Sequence, residues 1–285
     1  MIDRFAKSMG LRLPPKQSSS PPVIAVTGPY GSTGKTTVAL NISLELAAEK
    51  ARVLLIDADT LGPAIANHFL LNEQPAGLPA AFRIAGQDRF DLDQLERLSF
   101  QFQKSTLRIM PGSQDLPGQI IEEQTIEKIL ETARGSFDFT VIDLGCLGSG
   151  GASKQELLTN TIIGLADKTV LVCLADPIGI FRLLSSEEFV AKLPNPPDLV
   201  MNRVRNSVIA SARKEIGITL QRLCSLEPKA YLPDDPLHID QAVRTGIPVA
   251  SLSRSSTFRQ ALTGFVRAEL IGRKGALDSR VAKLG

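Results

Sequence analysis

The chain has 285 residues, of which 43% are hydrophobic, 22% charged and 5% aromatic, and this composition excludes a wholly disordered chain, a collagen-like repeat and a disulfide scaffold. The formal net charge is +2, but residues 1–22 and 271–285 each carry four basic and one acidic side chain, so the body between them is mildly acidic. An acidic body argues against a broad nucleic-acid-binding surface, and nucleic acid is therefore not expected as a partner.

The first predicted element is an N-terminal segment, residues 1–13, in which apolar side chains recur at helical spacing. Such a segment is typical of an interfacial or docking helix, and it is the predicted point of any membrane contact. A helix of this length that packs on its own body is an equal alternative. Residues 14–22 contain four prolines and three serines, so residues 1–22 are interpreted as a basic segment and linker. The folded body is predicted over residues 23–270, followed by a basic tail at 271–285.

Short β-branched runs alternate with helical patterns through this body. Strands are predicted at 23–26, 52–56, 107–110, 139–142, 169–172, 198–201 and 230–232. Helices are predicted near 36–50, 122–134, 153–164, 177–192, 206–222, 236–245 and 256–270. Continuous apolar strands separated by helices indicate a single α/β domain with a seven- or eight-stranded, mostly parallel sheet and helices on both faces.

The first predicted strand runs through a glycine-containing loop into Gly34-Lys35-Thr36-Thr37 and then into a helix. This order is typical of a loop that binds nucleotide phosphates, and the fold is therefore predicted to be a P-loop NTPase domain. Glycines at 31 and 34 let the backbone N–H groups turn inward, and the helix dipole adds positive potential. Lys35 is predicted to neutralise the β and γ phosphates. The other expected phosphate-loop contacts are Gly31, Ser32, Thr33, Gly34, Thr36 and Thr37.

Carboxylates follow two of the apolar strands. Asp57 and Asp59 end the second strand, and Asp143 ends the strand at 139–142. Carboxyl ends of parallel strands meet at one edge of a sheet, where the phosphate loop also opens. We predict that Asp143 and Asp57 support Mg²⁺ together with the Thr36 hydroxyl, and that Asp59 orients an attacking water. A helix-capping role is the alternative for each aspartate taken singly.

At this point the chain resembles the MinD/ParA group of P-loop ATPases with a deviant Walker A motif. Their pattern, Lys-Gly-Gly-x-Gly-Lys-Thr-Thr, falls on residues 30–37, and the likeness covers most of residues 23–270. Residues 53–59 resemble the switch I strand and residues 139–143 the Walker B strand. Within the group the chain looks most similar to the CpaE/TadZ-like branch associated with pilus assembly.

The resemblance implies further site residues and an assembly. Asn202 and Arg203 are similar to the base-reading segment, with Asn202 on the adenine, and Pro233 and Asp234 to the loop on its other side. ATP or ADP with Mg²⁺ is the implied cofactor. The implied function is a slow ATPase that dimerises with nucleotide and positions an assembly such as a pilus or the division machinery, with a protein partner that the sequence does not name. The first lysine of the family's pattern, which reaches the phosphates bound by the partner subunit, is Tyr30 here. A tyrosine cannot supply that positive charge, so this stabilisation across the dimer is lost.

Three other activities share this loop. A biosynthetic ligase of the dethiobiotin type would use it to activate a small carboxylate, and a DNA-segregating ATPase would need a basic surface that the acidic body lacks. An iron–sulfur carrier would need clustered cysteines, but Cys146, Cys173 and Cys224 are scattered. No apolar run reaches the length of a membrane-spanning helix, and we expect a cytoplasmic protein that is peripheral, if at all, at the inner face of the membrane.

Overall fold

The computed structural model describes residues 20–70, 75–114, 122–147 and 153–272. The predicted N-terminal helix, most of the linker and most of the basic C-terminal tail lie outside these residues. The strands are β1 Val23–Gly28, β2 Val53–Asp57, β3 Phe100–Gln101, β4 Leu107–Met110, β5 Phe139–Cys146, β6 Lys168–Leu174, β7 Asp198–Val204 and β8 Pro228–Pro233.

The helices cover both faces of this sheet. They are α1 Lys35–Ala48, α2 Ile65–His68, α3 Gly77–Ala85, α4 Leu92–Arg97, α5 Glu123–Ser136, α6 Lys154–Leu165, α7 Pro177–Ser185, α8 Glu187–Ala191, α9 Ala212–Cys224, α10 Pro236–Thr245, α11 Val249–Leu252 and α12 Thr257–Phe265. A π-helical stretch, Val266–Ile271, continues α12.

The described strands form one sheet of eight in the order β3-β4-β2-β5-β1-β6-β7-β8. All neighbouring pairs are parallel except β3 with β4, which is antiparallel. The prediction of a single α/β domain with a mostly parallel seven- or eight-stranded sheet is therefore confirmed. Strands β5 and β6 follow one another in the chain but lie on opposite sides of β1. Such a change of direction leaves a crevice at the carboxyl end of β1, and ligands of parallel sheets bind in crevices of this kind.

Alternate residues of each strand enter different cores, because successive side chains point to opposite faces of a sheet. Ala25 of β1 packs in a core with α3 to α9, whereas Ile24 packs in a second core with α1, α2, α11 and α12. The central strands are buried on both faces, which explains their continuous apolar runs. Helix α1, which follows the phosphate loop, therefore lies on one face of the sheet. Strands β2 and β5, which carry the aspartates, lie inside the sheet.

Several element boundaries differ from the sequence prediction. The predicted helix at 177–192 is two helices, α7 and α8. The predicted helix at 206–222 begins only at Ala212, because Ser211 has a left-handed φ of 49°. The two-residue β3 and the helices α2, α3, α4 and α11 were not predicted. No helix in the described part of the chain is long and apolar enough to cross a membrane.

Candidate functional site

The loop from β1 to α1 is shaped by two glycines with positive φ. Gly31 has φ of 101° and Gly34 has φ of 88°, a backbone conformation that L side chains rarely adopt. A side chain at Gly34 would also collide with its surroundings, since an added Cβ would lie 2.5 Å from Asn202 Nδ2. Both positions therefore favour glycine because of their positive φ, and position 34 also has no room for a side chain beside Asn202.

Lys35 is the first residue of α1 and is only 8% exposed. Its Nζ donates a hydrogen bond to the Gly31 carbonyl at 3.1 Å and lies 3.5 Å from Cys146 Sγ. Among the residues that the structure describes, no carboxylate forms an ion pair with it. The ammonium group lies across the loop and feels the nearby Asp143 carboxyl group without forming an ion pair with it, an arrangement that favours binding of an anionic ligand.

Asp143 is the acidic counterpart of Lys35 at the same edge of the sheet. Its side chain is buried, and within the described residues neither carboxylate oxygen has a hydrogen-bond partner. Burial raises the pKa of Asp143 well above its ordinary value, and the nearby charge of Asp57 raises that pKa further. The Thr36 hydroxyl lies near enough to lower this pKa somewhat, without reaching hydrogen-bond geometry with either oxygen.

An unpartnered buried carboxylate beside a threonine hydroxyl fits Mg²⁺. Magnesium is usually held by one or two carboxylates, waters and substrate phosphates rather than by a complete protein cage. In keeping with this, the described residues contain no group of three or more His, Cys, Asp and Glu side chains arranged to hold a metal ion. Asp143 and Thr36 would therefore hold the ion only together with nucleotide phosphates.

Asp57 faces Asp143 in register on β2 and β5. Its Oδ2 accepts hydrogen bonds from the Ala64 and Ile65 N–H groups, both at 3.0 Å, so it caps the short helix α2. Burial raises its pKa to about 6, although these backbone hydrogen bonds oppose the shift. The structure thus shows the capping contact, and support of a magnesium shell by Asp57 stays a prediction.

Asp59 is half-buried at the end of the same edge. Its Oδ1 accepts from the Leu61 and Gly62 N–H groups, both at 3.1 Å, and a Cβ on Gly145 would lie 3.1 Å from it. Asp59 therefore stabilises the turn after β2 beside the end of β5. The water-orienting role of Asp59 stays a prediction.

Asn202 joins β7 to the phosphate loop. Its Nδ2 donates to the Thr33 carbonyl at 2.8 Å, and its Oδ1 accepts from the Arg203 N–H at 2.9 Å. Both ends of this buried amide are therefore occupied, and the described contact is with the loop backbone. A hydrogen bond from Asn202 to adenine stays a prediction, and it would require this amide to exchange a partner.

Arg203, Pro233 and Asp234 lie next to Asn202 at the carboxyl ends of β7 and β8. Arg203 is exposed and has φ of 54°. The Asp234 N–H donates to the Val204 carbonyl at 3.1 Å, which ties the two strand ends together. The segments that the resemblance assigns to the base are thus neighbours beside the phosphate loop.

Two residues near the loop were missed by the sequence analysis. Gln155 of α6 accepts hydrogen bonds from both the N–H and the hydroxyl of Thr60 and donates to the Ala58 carbonyl at 3.2 Å. Arg182 of α7 donates to the Tyr30 carbonyl at 3.3 Å. Their partners are far away in sequence, so no local pattern could have identified either residue.

Comparisons with known proteins agree with this geometry. A family model described as the CobQ/CobB/MinD/ParA nucleotide binding domain matches residues 24–235. The septum site-determining protein MinD of Bacillus subtilis is 25% identical over 234 residues, covering 80% of this chain and 81% of that protein. An iron-sulfur cluster carrier protein of Aquifex aeolicus is 30% identical over 174 residues, but the match covers only 56% of this chain and 43% of that protein. MinD of Pyrococcus horikoshii, solved in complex with Mg-ADP, superimposes with a TM-score of 0.65 at 19% identity, covering 89% of this chain and 98% of that one.

Proposed function

The chain belongs to the CobQ/CobB/MinD/ParA nucleotide-binding family, and on that premise we propose that it is an ATP-dependent molecular switch of the MinD/ParA type. Its cofactor is ATP or ADP with Mg²⁺. The single observation that carries the proposal is a pair of groups at the loop within the described residues: the Lys35 cation, which forms no ion pair, and the Asp143 carboxyl group, which has no hydrogen-bond partner. A magnesium nucleotide supplies an anion for the first and a cation for the second.

Each side chain then has a defined task. Lys35 exchanges the Gly31 carbonyl for the β and γ phosphates, and the N–H groups of residues 31–37 line the phosphates. Thr36 and Asp143 would hold Mg²⁺, which would neutralise part of the phosphate charge. Asp57 keeps α2 in place beside this site, and Asp59 orients the attacking water.

We propose slow hydrolysis and an ATP-dependent homodimer. Tyr30 stands where the family carries its signature lysine, and the residue is 58% exposed at the mouth of the loop. A phenol brings no positive charge at neutral pH, so it cannot stabilise a partner's phosphates as an ammonium does. Slow turnover suits a protein that reports its nucleotide state. We assign the chain to the CpaE/TadZ-like branch because Tyr30 replaces the signature lysine.

The output of the switch is the positioning of a cellular assembly such as a pilus or the division machinery. The relative named as septum site-determining supports this class of task. The basic segment at residues 1–22 is the proposed membrane or partner contact, residues 23–270 form the ATPase domain, and residues 271–285 form a basic tail. The protein is proposed to work in the cytoplasm or peripherally at the inner face of the membrane.

The similarity to an iron-sulfur cluster carrier protein does not make cluster binding the favoured activity of this chain. Cys173 is buried, and burial raises the pKa of its thiol to about 12, so it is not available as a thiolate ligand. Cys146 lies at the phosphate loop beside Lys35, and Cys224 ends α9. Three cysteines in three separate environments do not make a cluster site within one chain.

Calorimetric titration of the full chain with Mg-ATP and Mg-ADP tests the proposal. We expect binding that Lys35→Gln abolishes and that Lys214→Ala, an exposed lysine on α9, leaves unchanged. Absence of binding by the parent chain, or equal binding by Lys35→Gln with an unchanged circular dichroism spectrum, would refute the site. Phosphate release that depends on an added carboxylate metabolite would instead identify a ligase.

A further inference from the structure

A second cation stands at the mouth of the phosphate loop. Arg182 Nη1 donates to the Tyr30 carbonyl at 3.3 Å, while Lys35 Nζ donates to the next carbonyl, that of Gly31, at 3.1 Å. A Cβ on Gly31 would lie only 2.3 Å from Arg182 Nη1. The guanidinium therefore rests against the loop backbone, and the glycine at position 31 is what gives it room.

Arg182 is held in this position by a tightly anchored helix. Asp176 caps α7 by accepting from the Gly179 N–H at 2.7 Å, and Pro177 occupies its first turn. Gly179 allows close packing on β6, since a Cβ there would lie 2.4 Å from the Leu174 carbonyl oxygen. The neighbours of Arg182 at positions 180 and 183 are buried in the core. The arginine thus lies on a capped and packed helix and not in a loop.

The charge of Arg182 is available to a ligand. Within the described ranges it forms no ion pair, and its guanidinium makes one hydrogen bond, to the Tyr30 carbonyl. A guanidinium has five N–H donors, and its planar fork matches phosphate oxygens. Because the two cations donate to successive carbonyls of one loop, an anion bound at that loop would be attracted by both charges.

We infer that Arg182 is a nucleotide-phosphate ligand contributed in cis, which places at the loop of each subunit a positive charge that Tyr30 cannot provide. The inference rests on the proposed function, because it assigns one more residue to the same site. It predicts that this chain recognises the polyphosphate with Lys35 and Arg182 of one subunit, without a cation from a partner.

Nucleotide titrations of charge variants test this assignment. Arg182→Gln keeps an amide donor for the Tyr30 carbonyl but removes the charge, and Arg182→Lys keeps the charge. We expect Arg182→Gln to weaken Mg-ATP binding about 10- to 100-fold, the loss typical of one charge-assisted contact, and to leave AMP binding almost unchanged. Arg182→Lys should recover most of the affinity. Arg222→Gln, an exposed arginine on α9, is the matched control and should bind like the parent.

Each outcome decides between assignments. If Arg182→Gln binds ATP like the parent while Lys35→Gln does not bind, the proposed function stands and the Arg182 assignment is overturned. Equal weakening of ATP and AMP, together with a lowered unfolding temperature of the nucleotide-free protein, would show that Arg182 only braces the loop and would also overturn it. If neither the parent nor any variant binds nucleotide, the proposed function itself fails.

Discussion

At the scale of single residues, the site is built around two ionisable groups, Lys35 and Asp143, that form no ion pair within the described residues. Asp143 is buried without a hydrogen-bond partner among the described residues, whereas Asp198, another buried strand aspartate, is paired with Lys168 Nζ at 2.9 Å. Burying an unpaired charge costs stability, and burying a paired one costs much less. The contrast between the two aspartates separates a residue kept for a ligand from one that stabilises the fold.

We predict that Asp143→Asn stabilises the nucleotide-free protein by about 1 to 2 kcal/mol at pH 7. A carboxyl whose pKa is raised by folding stabilises only below its unfolded pKa, and that contribution is lost as pH rises through the folded pKa. The advantage of the variant should therefore vanish as pH falls towards about 4, the ordinary carboxyl value. Urea denaturation at several pH values measures it.

The control for this prediction is Asp198→Asn, which should destabilise the protein because it leaves Lys168 without its partner. Mg-ATP should stabilise the parent chain strongly and Asp143→Asn weakly. An Asp143→Asn protein that is less stable than the parent at pH 7 would contradict the description of this carboxylate as unpaired.

Asp57 adds its own pH dependence to the nucleotide-free protein. Its pKa of about 6 lies above the ordinary carboxyl value, so its contribution to stability is present below about pH 4 and lost as pH rises through 6. This loss opposes the gain that ordinary ion-paired carboxylates give over the same range. Bound Mg²⁺ should reverse it, because a cation favours the ionised form.

For Asp59 we predict that Asp59→Asn binds ATP within about threefold of the parent and hydrolyses it at least about 100-fold more slowly, since a water-orienting base contributes on this scale. Asparagine can still accept the Leu61 and Gly62 N–H bonds, so the turn is preserved. Asp59→Ala should trap ATP in the same way with some loss of stability. If Asp59→Asn hydrolyses ATP at the parent rate, a residue other than Asp59 orients the attacking water.

At the scale of elements, the phosphate-loop helix is clamped at its far end. Glu45 of α1 accepts from Arg259 Nε at 2.7 Å and from the Thr263 hydroxyl at 2.9 Å, both on α12. Both partners of the ion pair are largely buried. The clamp sets the position of α1, and with it the position of Lys35 at the other end of the helix.

Removing one partner of the Glu45–Arg259 ion pair should lower the free energy of unfolding much more than removing both. Arg259→Met leaves a buried carboxylate without its cation, and we expect it to cost about 3 kcal/mol or more. The double variant Glu45→Gln/Arg259→Met should recover most of that loss. Denaturation of the two single variants and the double variant measures the coupling, and strictly additive losses would show that the two side chains do not interact.

Much of this layout was predictable because its signals are local. Doubly buried parallel strands are continuous apolar runs, and the glycine spacing of residues 31–35 predicts the phosphate loop. The two-residue β3 is too short for a periodic pattern. The contact of Asn202 with Thr33 joins residues 169 positions apart, and that of Gln155 with Thr60 joins residues 95 apart, so only the fold brings these side chains to the site.

At the scale of the whole molecule, three exposed apolar side chains lie near the mouth of the nucleotide site. Tyr30 is on the loop, and Ile178 and Phe181, one helical turn apart, are on α7, which also carries Arg182. Large exposed apolar side chains near a ligand site suit a surface that is covered in one state of the protein. We take this surface as the proposed seam of the ATP-dependent dimer.

We predict that Tyr30→Lys strengthens ATP-dependent self-association or accelerates hydrolysis, because a cation returns opposite a partner's phosphates. Tyr30→Phe, which keeps the ring and adds no charge, is the control and should behave like the parent. Sedimentation and phosphate release are the measurements. If Tyr30→Lys changes neither, the partner's phosphates do not face residue 30.

The most direct test of the switch is sedimentation equilibrium of the full chain without nucleotide, with Mg-ADP and with Mg-ATP, using Asp59→Asn to prevent turnover. We predict a monomer mass in the first two states and twice that mass with Mg-ATP, and a monomer in all three states when Lys35→Gln is added. One unchanged mass in every nucleotide state would contradict it.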